Sequence, residues 1–64
     1  MREIDTTEGT AAYLQMTEKG LRNMRYRGGG PPAVKVGGLV RYRKADIDRW
    51  LDERVEVGHV AAGA

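Results

Sequence analysis

A run of three glycines and two prolines, Gly28 to Pro32, divides the 64-residue chain into two parts with different sequence patterns. Glycine readily adopts the left-handed conformation that ends a helix, and proline cannot continue one. Before this run, apolar residues recur at helical spacing. After it, apolar and basic residues alternate as they do in β-strands. The simplest prediction is a helical part followed by a β-hairpin.

The length and composition set limits on the class of protein. Sixty-four residues suffice for one small domain, near the lower limit for folding without disulfides or metals. There is no cysteine, which excludes disulfides and thiolate metal sites. No apolar stretch approaches the roughly 20 residues of a membrane-spanning helix, and the first residues lack the apolar segment of a signal peptide. These features predict a soluble cytoplasmic domain without a cofactor.

The first helix is expected to follow residues 1–5, which carry no pattern and are predicted to be flexible. Thr6 or Thr7 is a suitable N-cap, and the helix continues through Leu14. Gly9 stands where a capping box headed by Thr6 would have Glu, so this helix start is predicted to be weak.

A short turn leads to a second helix, which Thr17 caps and Gly28 ends. Leu21 and Met24 point inward. The exposed side then carries Lys19, Arg22, Asn23 and Tyr26. Two helices with this spacing are typical of a helix-turn-helix, although any small helical hairpin has the same spacing. The basic exposed face favours the helix-turn-helix.

The alternating segment 34–43 predicts a β-hairpin. A two-residue Gly37-Gly38 turn would mix apolar and basic residues on both faces. A three-residue turn that includes Leu39 gives one apolar and one basic face, so we predict that register. The predicted opposing pairs are Val36 with Val40, Lys35 with Arg41, and Val34 with Tyr42. A hairpin with one basic face, placed after a helix-turn-helix, is a wing.

A last helix is predicted to begin near Lys44. Asp46 lies three residues after Arg43 and can accept a hydrogen bond from the Arg43 backbone N–H, as half of a capping box. The buried stripe of this helix has helical spacing. The predicted core of the whole domain comprises Ala11, Leu14, Met16, Leu21, Met24, Val34, Val36, Val40, Tyr42, Ile47, Trp50 and Leu51.

Together these elements predict one α+β domain over residues 6–55, with two N-terminal helices, a two-stranded hairpin and a C-terminal helix. Residues 56–64 are predicted to form a flexible tail. His59 in that tail has no neighbours in the sequence that could complete a metal site, so no metal site is predicted.

Charge is distributed unevenly along the chain. The stretch Lys19–Lys44 contains eight of the 11 Lys and Arg residues and no Asp or Glu. The formal net charge of +2 therefore conceals one strongly positive surface. Such a surface fits a polyanion, and nucleic acid is the first candidate.

From Thr6 to Arg54 the sequence resembles the small excisionase-type DNA-binding domains related to MerR and AlpA. The matching segments are Ala11-Ala12-Tyr13-Leu14, Met16-Thr17, Leu21-Arg22, Gly28, Gly30-Pro31, Lys35-Val36-Gly37, Val40-Arg41-Tyr42-Arg43 and Asp46-Ile47-Asp48-Arg49-Trp50-Leu51. The resemblance implies a winged helix-turn-helix. Its second helix would enter the major groove, and its hairpin would lie along the backbone or the adjacent minor groove.

Three positions depart from the pattern of that family. Met24 replaces an aromatic residue, and Gly9-Thr10 replaces a pair that is usually acidic or Ala. The wing tip, Gly37-Gly38-Leu39, lacks the Arg that commonly follows the first glycine. Without this cation, backbone contact through the tip glycines is the preferred interpretation.

Residue types divide the basic stretch into two sets of predicted DNA contacts. Arg and Asn side chains can make bidentate contacts to guanine and adenine, whereas the point charge of Lys suits a phosphate. The predicted recognition-helix contacts are Thr17, Lys19, Arg22, Asn23 and Tyr26. The predicted backbone and wing contacts are Arg25, Arg27, Lys35, Gly37, Gly38, Arg41 and Arg43. For each of them, solvent exposure without DNA contact is the alternative, and Tyr26 could instead pack against the wing.

The resemblance implies a recombination directionality factor. Such a protein binds and bends attachment-site DNA, often as several copies side by side, and promotes integrase-mediated excision of a phage or mobile element. The expected partners are then double-stranded DNA, the cognate integrase and further copies of the chain, at the bacterial nucleoid.

Two alternatives stay open. An AlpA-like or MerR-like transcription regulator uses the same domain, and the sequence does not separate it from an excisionase. A small protein-interaction module, such as an antitoxin, would use the basic face to bind an acidic protein. An enzyme is not expected, because the sequence shows no paired carboxylates, no nucleophile with a base and no metal cluster.

Overall fold

A computed structural model describes residues 1–56 of the chain. The elements follow in the order β1 (Ile4–Asp5), α1 (Thr7–Tyr13), α2 (Glu18–Arg27), β2 (Val34–Val36), β3 (Leu39–Arg43) and α3 (Lys44–Asp52). This confirms the predicted α+β winged helix-turn-helix with two N-terminal helices, a hairpin and a C-terminal helix. Apart from Glu56, the predicted tail with His59 lies outside the described residues. Within the described part of the chain, no helix has the length and apolar character needed to cross a bilayer.

Helix α1 begins after Thr6, whose side-chain oxygen accepts a hydrogen bond from the Gly9 backbone N–H at 3.0 Å. Asp5 supplies the other half of the capping arrangement, because its carboxylate accepts a bond from the Thr6 N–H at 2.7 Å. A Cβ atom at position 9 would collide with that carboxylate. A side chain at position 9 would displace the Asp5 carboxylate from the cap, so glycine fits the position where the sequence pattern suggests a missing Glu, and both capping bonds are present.

The sequence shows no pattern in residues 1–5, but two of them form a strand; the flexibility predicted for this segment stays a prediction. Ile4 pairs with Arg43 and Asp5 pairs with Tyr42, which makes β1 a short antiparallel strand beside β3. The sheet order is β1-β3-β2. A two-residue strand is too short to show alternation in the sequence. It forms because the folded hairpin leaves one edge of β3 with unpaired backbone groups.

The hairpin turn is one residue shorter than predicted. The observed opposing pairs are Val34 with Arg41, Lys35 with Val40, and Val36 with Leu39. Only Gly37 and Gly38 form the turn, and their φ angles are +56° and +88°. Two successive positive φ angles are what a type I′ turn needs, and this turn matches the twist of the strands. The predicted pairing of Val36 with Val40 is therefore wrong, because turn geometry outweighed the separation of apolar from basic residues.

The observed register places the hairpin cations on opposite faces. Directly opposed residues of an antiparallel pair share a face. Lys35 therefore lies beside Val40, on the face that carries the fully buried Tyr42. Arg41 lies beside Val34 on the other face. The prediction of one apolar and one basic face is wrong.

The core is smaller than predicted. Four apolar residues are buried and four of the predicted core residues pack against them while partly buried: Ala11, Leu21, Tyr42 and Ile47, then Leu14, Met16, Met24 and Val40. Val36 and Leu51 are exposed, so their predicted burial is wrong. Val34 and Trp50 are half-buried. Thr10 is fully buried in addition, because its hydroxyl donates to the Thr6 carbonyl at 2.8 Å.

Side-chain bonds stabilise the start of α3 and join it to α1. Arg43 Nε donates to Asp46 Oδ2 at 2.7 Å, and this ion pair takes the place of the predicted bond to the Arg43 backbone. The Tyr13 hydroxyl donates to Asp48 at 2.5 Å, and Lys44 Nζ donates to the other Asp48 oxygen at 2.9 Å. The bonds from Tyr13 and Lys44 hold the pKa of Asp48 below its ordinary value. The bond to Asp48 raises the pKa of Tyr13 and of Lys44.

Candidate nucleic-acid interface

Helix α2 is fixed at both ends and along one side. The Thr17 hydroxyl oxygen accepts a bond from the Gly20 N–H at 3.0 Å, as predicted for the N-cap. A Cβ atom at position 20 would lie 3.0 Å from that oxygen, so glycine leaves room for the cap. Gly28 ends the helix with φ of +79°, and Leu21 is fully buried beneath it. The opposite side of α2 is therefore presented in a defined orientation.

Four polar side chains are exposed together on that opposite side: Lys19, Arg22, Asn23 and Tyr26. Their spacing of three, four and seven residues places them on one helix face. Tyr26 is 77 % exposed, which does not fit the alternative in which its ring packs against the wing. The structure thus brings together four of the five predicted recognition-helix residues, with Thr17 at the start of the same helix. Their contact with DNA stays a prediction.

Arg22 is held by a neighbouring carboxylate. Its Nη1 donates to Glu18 Oε2 at 2.7 Å, and both side chains are partly exposed. Glu18 is the first residue of α2, where the helix dipole favours a negative charge. The pair leaves Nε and Nη2 of Arg22 available for a planar acceptor. The sequence interpretation assigned Glu18 only to the dipole; its four-residue spacing from Arg22 was the signal for this second role.

The other predicted contacts lie around this face in different environments. Arg25 is half-buried, with its guanidinium carbon 5.6 Å from the centre of the Tyr26 ring. Arg27 and Lys35 are exposed. Arg41 is half-buried and its Nη1 donates to the carbonyl of the preceding residue at 2.8 Å.

Ion pairs divide the basic stretch into compensated and uncompensated charges. Arg22, Arg43 and Lys44 are each bonded to a carboxylate, at 2.7, 2.7 and 2.9 Å. The other cations of the stretch form no ion pair with residues 1–56: Lys19, Arg25, Arg27, Lys35 and Arg41. Uncompensated positive charge is therefore concentrated on α2 and the hairpin, whereas Arg43 is committed to Asp46.

The tip of the hairpin is slim and apolar. A Cβ atom at Gly37 or Gly38 would meet nothing within 4 Å. Behind the glycines, Val36 and Leu39 lie opposite each other, and each is 55 % exposed. The sequence interpretation placed Val36 in the core and missed this exposed pair. The Gly-Gly dipeptide, which favours a type I′ turn, was the signal that could have revealed it.

Two short helices joined by a tight turn, with a basic face on the second helix, form the arrangement of a helix-turn-helix. The sequence model of the helix-turn-helix domain family matches residues 6–55. The chain belongs to this family. The family includes excisionase-like and AlpA-like proteins, and its fold makes the protein a DNA-binding helix-turn-helix protein. No curated protein matches the chain.

Within this helix-turn-helix domain, α2 is the second helix of the motif, which in such proteins lies in the major groove. Its exposed face offers the donors that suit base edges and phosphates there, from Arg22, Asn23 and Lys19. The hairpin follows α2 in the position of a wing. Within residues 1–56, no group of three or more His, Cys, Asp or Glu side chains is placed to hold a metal ion.

Proposed function

We propose that the protein is an excisionase, a sequence-specific recombination directionality factor that binds and bends attachment-site DNA and so promotes integrase-mediated excision of a phage or mobile element. The observation that supports sequence-specific DNA binding is the α2 face, where Lys19, Arg22 and Asn23 are exposed together on a capped helix. The excisionase role is supported by the resemblance from Thr6 to Arg54 and by the composition of the helix-turn-helix family.

In the proposed complex α2 lies in the major groove. Arg22 donates to guanine O6 and N7 through the guanidinium edge that Glu18 leaves available, and Asn23 pairs with adenine. Lys19 and Thr17, near the start of α2, contact a phosphate, which the helix dipole also favours. The wing cations contact the neighbouring backbone. In this arrangement α2 reads the base sequence, and the wing cations bind the phosphate backbone without regard to sequence.

One domain of this size covers only about 600–1,000 Å² of its own surface on DNA. Several copies on adjacent sites are therefore needed for useful specificity. Binding as several copies side by side is part of the proposed excisionase role. The protein performs no chemistry in this role. The integrase cuts and joins the strands, and the bound copies hold the DNA in the bend that favours the excision complex, at the nucleoid in the bacterial cytoplasm.

The experiment that tests the proposal combines a footprint with a recombination assay, using the integrase encoded nearest to this protein. We expect protection of repeated sites beside the attachment sequence, with excision raised and integration lowered. Arg22→Ala should lose both effects. Glu53→Gln, an exposed change on α3, should keep both.

Two other results would redirect the proposal. Sequence-specific protection at a promoter, with no effect on recombination, would make the protein an AlpA-like or MerR-like regulator. A complex of fixed stoichiometry with an acidic protein, and no retention of duplex DNA, would overturn the DNA-binding proposal in favour of an interaction module. Specific DNA binding also predicts that log K falls with log [salt] by about 0.9 for each neutralised phosphate.

A further inference from the structure

We propose that the hairpin tip enters the DNA minor groove as an apolar wedge, with Leu39 as the side chain that kinks the duplex. This inference rests on the proposed function and adds to it the part of the protein that bends DNA. It starts from Val36 and Leu39, which lie opposite each other at the tip, and each is 55 % exposed. As a directly opposed cross-strand pair, Val36 and Leu39 form one apolar patch at the tip.

The shape of the tip fits a narrow groove. The turn consists of two glycines with φ of +56° and +88°, around which no other atom lies within Cβ contact distance. The leading edge of the hairpin is therefore bare backbone, and Val36 and Leu39 are the first side chains behind it. The minor groove is only about 6 Å wide, so a tip without side chains can enter it further than a tip that carries them.

The positions of the hairpin cations indicate that the binding partner of the tip is a DNA groove. The register puts Lys35 on one face of the hairpin and Arg41 on the other. A flat acidic surface would be met by cations on a single face. A groove has a phosphate strand on each side, so cations on both faces of an inserted hairpin are each directed toward one strand. Neither Lys35 nor Arg41 forms an ion pair with residues 1–56.

The chemistry of the tip then determines what it does in the groove. Leucine is one of the apolar side chains that minor-groove proteins insert between base steps, and such insertions kink the duplex by about 20–90° toward the major groove. The kink opens the minor groove, which makes room for the hairpin. Pyrimidine–purine steps unstack most easily, so the wedge should favour a TA or CA step at a fixed distance from the bases that α2 reads.

The test measures bending by the full chain. A binding site is first selected from random duplexes, and the end-to-end distance of a labelled duplex is then measured by fluorescence energy transfer with and without protein. We expect the unaltered protein to bend the site by about 20–90°. Leu39→Ala should remove most of that bend. Leu51→Ala, the same truncation at an exposed leucine of α3, should bend DNA as the unaltered protein does.

Affinity measurements separate a wedge from a simple contact. Leu39→Ala should bind linear duplex about tenfold more weakly, but should bind a pre-bent duplex nearly as well as the unaltered protein, because the cost of bending is already met. Its salt dependence should be unchanged, since no phosphate contact is lost. Lys35→Ala should instead reduce the slope of log K against log [salt] by about 0.9. Thermal unfolding checks that Leu39→Ala still folds. Leu39→Thr, which keeps a strand-forming residue but removes the apolar side chain, should lose the bend in the same way.

Three results would overturn the inference. An equal bend with Leu39→Ala and with the unaltered protein would show that the tip does not kink DNA, while leaving the excisionase role intact. Retained bending at a single site, with loss of cooperativity on two adjacent sites, would show that the tip contacts a second copy of the chain. If selection from random duplexes enriches no site at all, the proposed function and the wedge both fail.

Discussion

The α2 face and the hairpin both carry uncompensated positive charge, but they present it in different ways. On α2, the uncompensated Lys19 projects beside Arg22, which is paired with Glu18, from one face of a helix that is capped at both ends and fixed beneath by Leu21. On the hairpin, Lys35 and Arg41 project to opposite faces around an exposed apolar tip. A fixed face suits the recognition of base edges, whereas a tip with charge on both sides suits a groove. The two regions therefore differ more in the direction in which their cations project than in the amount of charge, and that direction decides whether a region suits base edges or a groove.

The largest expected effect tests whether α2 depends on the core and the hairpin tip does not. Leu21→Ala removes a fully buried side chain and should cost about 2–5 kcal/mol. A domain of this size has roughly 3–5 kcal/mol of total stability, so most of the variant should be unfolded at 25 °C. Val36→Ala, at the exposed tip, should change stability by less than about 0.5 kcal/mol. Thermal and urea unfolding followed by circular dichroism measure both, and equal losses would contradict the comparison.

The next effect separates base reading on α2 from grip by the wing. Arg22→Ala should lose about 1–3 kcal/mol of discrimination between the selected site and random duplex. Lys35→Ala should weaken both complexes about equally and lower the salt slope by about 0.9. Titrations at several salt concentrations give both quantities. An unchanged specificity ratio for Arg22→Ala would show that α2 does not read bases in the proposed way.

A smaller effect tests the two-residue turn of the hairpin. Gly38 has φ of +88°, so Gly38→Ala should cost about 1–2 kcal/mol of stability. Gly29→Ala is the matched control, because Gly29 does not have a positive φ and a Cβ there would meet nothing within 4 Å. Chemical unfolding of the two variants gives the difference. If they lost equal stability, the type I′ turn and the register that follows from it would be wrong.

A still smaller effect tests the carboxylate beside Arg22. Glu18→Gln releases the guanidinium from its 2.7 Å ion pair and removes a negative charge from the α2 face. We expect tighter binding to random duplex, a salt slope steeper by up to about 0.9, and lower discrimination, because the released Arg22 can contact a phosphate. Glu8→Gln, the same change in the first turn of α1, is the control. If both variants tighten all duplexes equally, Glu18 acts only through net charge.

The smallest effect concerns the two bonds to Asp48 in α3, one from Tyr13 of α1 and one from Lys44 of α3 itself. The lowered pKa of Asp48 means that its contribution to stability is present above the ordinary carboxylate range and is lost as pH falls through the folded-state pKa. The raised pKa values of Tyr13 and Lys44 mean that their contribution is present below their ordinary values and is lost as pH rises through the folded-state values. Tyr13→Phe should reduce both pH dependences, which thermal unfolding across the pH range can show. An unaltered pH profile would mean that these bonds contribute nothing in solution.

Helix starts and ends were predictable because the bonds that form them are local. Thr17 and Gly28 were confirmed as the boundaries of α2, since each acts on backbone groups within four residues. For α1 the sequence offered Thr6 or Thr7 as the cap, and the structure has Thr6. The role of Asp5 was not predictable from the capping-box pattern. That pattern places the residue that accepts from the cap N–H three positions after the cap, whereas Asp5 directly precedes Thr6. Exposure of the α2 face also followed from helical spacing alone.

The sequence correctly predicted a hairpin after α2, but the predicted strand register was wrong. Sorting apolar from basic residues favoured a turn that includes Leu39, but the φ angles available to Gly37 and Gly38 favoured a two-residue turn. A one-residue change in register moves every side chain of one strand to the other face. Both the exposed apolar pair at the tip and the division of its cations depend on that single step.

By itself, the sequence determined the order of the three helices and the hairpin, the cap of α2, the choice of Thr6 or Thr7 as the cap of α1, and the polar face that α2 exposes, because helical periodicity and capping act over a few residues. Only the tertiary structure decided the sheet. It decided that Ile4–Asp5 add a strand to β3, and that Lys35 and Arg41 lie on opposite sides of an apolar tip. Strand pairing joins residues that are distant along the chain, and its register depends on turn geometry and on the edges that become available only when the other strands have folded.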